Sequence, residues 1–327
     1  MTGDALVTIA IPTFNRATVL ERCLESAFGQ SYAAIEVVVC DTASSDATAE
    51  VVTRAFAGHP RARYVRHDTN LGAVANFHAG LDHATGHYFM WLADDDWLDA
   101  DYVARCVEML RDDPRIVLAN GDAVYSDGRH RVTEVGVDLS QASAFRRVLG
   151  YYTWVGLNAA FYGVSTLEAR RVVTFDGAIA SDWLHVAELA ALGPIRRVPA
   201  TIHRSAAGAS AVIEHRFARY ARPIARAVAA DVRTANAFAH LGVLQRRALA
   251  AACTGVIYWR KGVLHGRDRS VAHVARHLKS RVHIDRYQRL RRAYYRLPGL
   301  RAPNTDHVIP ADGAPIDADA SVDSHVG

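Results

Sequence analysis

Cysteine is scarce and scattered in this 327-residue sequence: Cys23, Cys40, Cys106 and Cys253 form no C-x-x-C pair. That distribution argues against a disulfide framework or a zinc knuckle and favours a reducing compartment. A basic segment ahead of the first apolar stretch is missing too, because the chain begins Met1-Thr2-Gly3-Asp4, so no signal peptide is expected. Nor is any run long and apolar enough to span a bilayer. The best candidate, Leu241 to Trp259, contains Arg246 and Arg247. The expected location is therefore cytoplasmic. Acidic residues are sparse in one region: half of all lysines and arginines lie between Arg216 and Arg296, against Asp231, Asp268 and Asp285. Beyond Arg301 the balance reverses, with Asp306, Asp312, Asp317, Asp319 and Asp323. A net charge of +4 thus conceals a balanced globular part, a basic helical part and an acidic tail.

What the sequence does have is apolar runs that end in polar residues. At 50% hydrophobic content the chain can bury a sizeable core. Tyr88 to Leu92 suits a strand covered on both faces, and three carboxylates, Asp94, Asp95 and Asp96, follow almost at once. Adjacent aspartates repel and need compensation by cations, hydrogen bonds or solvent. The plain alternative is a solvated acidic loop or helix cap. Leu6 to Ile11 reads as the first strand, stopped by Pro12, with Asn15 placed to cap the following helix. Ile35 to Cys40 is the second strand, ending at Asp41, and Asp46 caps the helix after it. Arg63 to His67 is a shorter third strand, and Asn70-Leu71-Gly72 is a turn before a helix reaching about Ala84. Strand and helix alternate, so a mainly parallel α/β sheet with helices on both faces is expected, its polar strand ends gathered along one edge.

The ordered set I-P-T-F-N-R, V-V-V-C-D-T-A-S-S-D-A-T, N-L-G-A-V-A-N-F and A-x-G-H-Y-F-M-W-L-A-D-D-D resembles the start of a family 2 glycosyltransferase of GT-A fold, over residues 5–125. The resemblance implies inverting transfer of a sugar from a nucleotide-sugar donor, UDP- or dTDP-linked, with Mn2+ or Mg2+ as cofactor. The acceptor would be a glycan, glycolipid or lipid-linked hydroxyl in polysaccharide or glycoconjugate synthesis. Pro12, Thr13, Asn15 and Arg16 would border the nucleotide, Asp41 would accept a hydrogen bond from the base, and Asn70 and Gly72 would shape the neighbouring turn. Asp95 would bind the metal, Asp94 would cover the ribose, and Asp96 would support the loop or share the metal. The sequence departs from the commoner D-x-D-D form, with Ala93 where the first Asp usually stands. A divalent cation bridging both phosphates would stabilise the charge gathering on the departing diphosphate.

In the second half, Ile116 to Asn120 is expected to be a strand, residues 121–139 a hairpin, Gln141 to Thr153 a helix, and Trp154 to Val164 a strand and loop on the acceptor side. Asn158 could contact the acceptor there or be a turn residue. Ser181-Asp182-Trp183 opens an apolar helix, where an acid is most often a cap. By the resemblance Asp182 is the general base, with Asp176 in reserve, and Ser181 replaces the family's usual Glu. Arg204 would neutralise phosphate oxygens and His203 would reach the metal or the phosphates, although the family's tyrosine-arginine-x-histidine order is not kept.

The organisation expected is a GT-A domain over residues 1–212, with a nucleotide half (1–125) and an acceptor half (126–212). A basic helical region, 213–300, and a disordered acidic tail, 301–327, follow. Ile257-Tyr258-Trp259-Arg260-Lys261 and Tyr294-Tyr295-Arg296 put aromatics beside cations, which suits peripheral contact at the inner face of a membrane. The alternative is a helical hairpin packed on the catalytic part. No nucleic-acid motif is present, so no such partner is expected. Two rival functions differ in class. A sugar-nucleotide nucleotidyltransferase would want a glycine-rich phosphate loop after the first strand, and Ile11 to Arg16 has no glycine. A non-catalytic nucleotide-binding module would be consistent with Ala93 and Ser181.

Overall fold

The apolar run after Ala5 forms β1 (Val7–Thr13), buried along its whole length. Its side chains alternate between two cores, as the two-residue period of a strand requires: Val7, Ile9 and Ile11 enter one, Ala10 the other. The computed structural model describes residues 4–126, 131–177, 179–205 and 209–264. After β1 come α1 (Ala17–Phe28), β2 (Ile35–Asp41), α2 (Thr48–Ala55), β3 (Ala62–Arg66), α3 (Gly72–Asp82) and β4 (Tyr88–Trp91). The ladders β3–β2, β2–β1 and β1–β4 are all parallel, so the polar ends of these strands share one edge, as the alternation implied.

The second half is mixed. It comprises β5 (Trp97–Leu98), α4 (Tyr102–Asp112), β6 (Leu118–Ser126), β7 (Arg131–Glu134), α5 (Ala144–Trp154), β8 (Val164–Thr166), α6 (Leu167–Val172), α7 (Ser181–Leu192) and β9 (Ile195–Ser205). The sheet runs β3-β2-β1-β4-β8-β6-β9-β5, with β7 hydrogen-bonded to β6. β8 is antiparallel to β4 and β6, whereas β6 and β9 are parallel. β5 pairs antiparallel with β9 and sets Trp97 opposite His203. The expected hairpin is β6–β7.

Two local expectations need correction. Residues 154–163 are not a strand: α5 runs into them, a 3-10 turn covers Ala159–Tyr162, and strand geometry begins only at Val164. The cause is Asn158, whose left-handed φ of 61° breaks an extended path. Asn15 is not the cap of α1 either. It takes φ 54°, and the first turn of α1 is capped instead by Asp46, whose Oδ2 accepts from Ala17 N–H at 3.1 Å.

α8 (Ala209–Thr234) and α9 (Val243–Leu264) complete the described chain. Ile224, Val228, Val232, Leu249, Cys253 and Ile257 join Val148, Tyr152, Val186 and Leu189 in one apolar cluster, so these helices share a core with α5 and α7. Part of the basic region, 265–300, and the acidic tail lie outside the described residues. No helix among the described residues is long and apolar enough to cross a membrane. The four cysteines are buried and unpaired.

Candidate active site

The loop after β1 is held by the loop after β2. Asn15 donates its N–H to Ser44 Oγ (2.8 Å), and its Oδ1 accepts from Ser45 N–H (2.8 Å). Asp46 fixes both following helices, because its Oδ1 also accepts from Thr48 N–H at 3.0 Å. Asp41 is fully buried; Oδ1 accepts from Ser44 N–H (2.9 Å) and Oδ2 from the Tyr64 hydroxyl (2.6 Å). Asn70 Oδ1 accepts from Gly72 N–H at 2.8 Å, closing a tight turn in which Gly72 takes φ 79°. Pro12 lies inside β1 opposite Cys40, and Thr13 ends it opposite Asp41. Asn76, given no role from sequence, joins these strand ends: its Nδ2 donates to Thr13 O (3.0 Å) and Cys40 O (2.9 Å). A polar side chain on the buried face of α3 was the available signal.

This bracing turns Arg16 across the edge of the sheet. Its guanidinium stands 3.6 Å from Asp94 and 3.7 Å from Asp95. The three aspartates differ in environment. Burial pushes the Asp94 carboxyl up to about 6, Arg16 opposing and its acidic neighbours adding. The Asp95 side chain is the most exposed of the three, at 27%. Asp96 is sealed, with Oδ2 accepting from Arg204 Nε (2.6 Å) and Oδ1 from Ser205 N–H (3.1 Å). Burial raises it to about 6 as well, against the pull of Arg204.

His203 and Arg204, adjacent on β9, address different partners. His203 Nε2 lies 2.8 Å from Asp99 Oδ1, and its ring stacks parallel on Trp97 with centroids 5.2 Å apart. Arg204 reaches Asp96, with its guanidinium 4.0 Å from the Tyr162 ring centroid. The charge of Asp182 at the start of α7 acts on the Tyr162 hydroxyl, and that of Arg204 opposes the rise at Asp182. Asp182 occupies the first turn of that helix, and burial raises its carboxyl above the ordinary aspartate range. Asn158 is 1% exposed, so it does not face an acceptor; its Nδ2 donates to Asp182 Oδ2 at 3.0 Å. Asp176 is exposed, just ahead of α7.

Among the described residues no group of three or more His, Cys, Asp or Glu side chains is gathered to hold a metal. Mg2+ commonly uses one or two carboxylates, with water and substrate phosphates filling the remaining positions. Asp95, with the less exposed Asp94 beside it, fits that requirement: both are carboxylates at the strand edge, their side chains 27% and 12% exposed against 1% for Asp96.

Residues 8–154 match the family model described as Glycosyl transferase family 2. The chain carries a family 2 glycosyltransferase domain. Over 108 residues the chain is 36% identical to the chondroitin synthase of Pasteurella multocida (strain Pm70), covering 33% of this chain and 11% of that protein. It is 34% identical over 128 residues to a PGL/p-HBAD biosynthesis glycosyltransferase of Mycobacterium bovis, covering 38% of this chain and 50% of that protein. The chain therefore spans only about a tenth of the length of the first curated relatives it matches. In fold it is similar to the mannosyltransferase PcManGT from Pyrobaculum calidifontis, solved with GDP-Man and Mn2+ (TM-score 0.56, 20% identity, 88% of this chain and 86% of that one). It is also similar to S. aureus TarS 1–349 with UDP-GlcNAc (TM-score 0.58, 14% identity, 79% and 74%). At these identities the likeness concerns the fold, GT-A.

Proposed function

We propose that this glycosyltransferase moves a sugar, with inversion, from a UDP- or dTDP-linked donor to a hydroxyl of a glycan, glycolipid or lipid-linked acceptor. The observation that carries the reading is the meeting of Arg16 with Asp94 and Asp95 at the edge where β1, β2 and β4 end. Ligands of open α/β sheets bind at such an edge. Asn15, Pro12 and Thr13 would border the nucleotide, with Asp41 beneath the base and the Asn70–Gly72 turn beside it. Asp94 would face the ribose, and Arg16 would attract the diphosphate. Asp95, with Asp94, would hold Mn2+ or Mg2+, which neutralises the diphosphate when bound. Arg204, kept in place by Asp96, would set the positive potential between that loop and the base.

Asp182 would take the proton from the acceptor hydroxyl while the hydroxyl oxygen bonds to the anomeric carbon and the bond to the diphosphate breaks. Burial makes this carboxylate more basic than one in water, which suits the task. Contact of residues 213–300 with an anionic membrane surface belongs to the same reading, as the means of meeting a lipid-linked acceptor. The test is nucleotide release, followed by mass spectrometry, from a panel of UDP- and dTDP-sugars with Mn2+. Release that is lost in Asp95→Asn and Asp182→Asn is expected; full turnover in either variant, or no release from any donor, overturns the reading.

A further inference from the structure

The loop between α5 and the 3-10 turn is organised by a residue from another part of the sheet. Glu134, the last residue of β7, turns its carboxylate onto the backbone of residues 157–159. Oε1 accepts from Leu157 N–H (2.8 Å) and Asn158 N–H (3.3 Å), and Oε2 from Ala159 N–H (3.1 Å). The Tyr125 hydroxyl donates to Oε2 at 3.1 Å. The approach is close enough that a Cβ on Gly156 would lie 2.6 Å from Oε1, so any other residue there would push the Glu134 carboxylate aside. Three backbone donors on one carboxylate form an anion-binding concavity filled by the protein's own side chain.

The consequence is the strained backbone of Asn158, at φ 61°. Its amide is fully engaged. Oδ1 accepts from the Tyr151 hydroxyl (2.8 Å), and the opposite end faces a backbone carbonyl, which only accepts and so fixes that end as nitrogen. Nδ2 then donates to both the carbonyl oxygen (2.9 Å) and Oδ2 (3.0 Å) of Asp182. One side chain thereby ties the first turn of α7 to its own carboxylate. Trp183 N–H and Arg204 also favour the charged form, while burial opposes it.

We infer that Glu134 and Asn158 form a clamp that positions the Asp182 carboxylate for proton abstraction, with Asn158 the positioning residue and Glu134 its anchor. The inference rests on the reading of Asp182 as the base. A bare buried aspartate would be free to rotate about χ1 and to stay protonated; the Asn158 amide restricts the first and opposes the second. The role is distinct from packing, because it predicts a change in how Asp182 titrates.

The experiment uses the full chain with 13C-labelled aspartate carboxyls, titrated by NMR, with Asp182→Asn assigning the resonance. Asn158→Gly keeps the left-handed backbone and removes the donor, so the Asp182 midpoint should rise by about 1 unit. Asn158→Asp keeps the backbone and size but adds a like charge, and the rise should be larger. Glu134→Gln should move it the same way, by less. With whichever UDP- or dTDP-sugar the wild type hydrolyses, the acid limb of kcat should move upward by the same amount. An unchanged midpoint in both folded Asn158 variants overturns the clamp while leaving the base reading intact. Full turnover in Asp182→Asn would instead remove the base reading, whatever the titration shows.

Discussion

Asp96→Ala tests whether this carboxylate supports the fold or belongs to the proposed cation site. Asp96 is 1% exposed, the Arg204 side chain 15%, and they meet at 2.6 Å. Removing the carboxylate leaves the guanidinium without its counter-charge in a largely dry position, beside rings that offset only part of the loss. Breaking a buried pair from one side costs about 3–5 kcal/mol. The residual exposure of Arg204 and the Tyr162 contact favour the lower end, about 3 kcal/mol. In a domain of this size that lowers Tm by roughly 6–12 °C. The measurement is thermal and urea unfolding by circular dichroism, with EDTA present throughout. Removing both charges in Asp96→Ala/Arg204→Met should recover most of the loss, because the cost lies in the unpaired partner. If Asp96→Ala unfolds within about 0.5 kcal/mol of the wild type in EDTA, or if the double variant is simply the sum of the singles, the assignment is wrong. Asp96 would then belong with the cation site.

Asp95→Asn should do the reverse: stability in EDTA unchanged within about 0.5 kcal/mol, and the Mn2+-dependent thermal shift with UDP abolished. Asp46→Ala uncaps α1 and α2 together and should cost about 1–2 kcal/mol, read as a lower urea midpoint at unchanged m-value. Burial and the neighbouring Glu188 hold the Asp231 carboxyl at about 8, well above its unfolded value. The folded chain then binds the extra proton, so this group's stabilisation is complete below about pH 4 and drains away as pH rises towards 8. Asp231→Asn, which cannot ionise, should therefore flatten the fall of Tm between pH 5 and 8 and raise Tm above the wild type at pH 8.5.

The edge of the sheet was legible in the sequence because burial and polarity change abruptly there. Val37–Cys40 cannot be solvated and Asp41 cannot be left uncompensated, so the strand end announces itself; the same holds for Tyr88–Leu92 and the aspartates. What could not be read was partner choice. Arg204 and Asp96 stand 108 positions apart, and only the β5–β9 pairing brings them together. Asn15 has the composition of a helix cap, yet the backbone turns left-handed there and Asp46, 29 positions from Ala17, takes the role. The apolar content of residues 154–164 suggested a strand. A hydrophobic pattern has no knowledge of Glu134 gripping three amides, which is what decides the conformation.

Charge balance explains why three adjacent carboxylates are tolerated. Asp94, Asp95 and Asp96 face two guanidiniums, Arg16 and Arg204, so one negative charge remains once all three are ionised. It cannot rest on Asp96, which is paired and sealed. It falls to the pair sharing the half-exposed Arg16, and the more hydrated of these is Asp95. Hydration matters because a hard divalent cation binds where carboxylate and water can both reach it. Adding such a cation converts the residual −1 to +1, which attracts a diphosphate; without it the same edge repels one. The order of exposure along three consecutive residues thus divides the labour among them, with Asp96 bracing Arg204, Asp94 intermediate and Asp95 outermost.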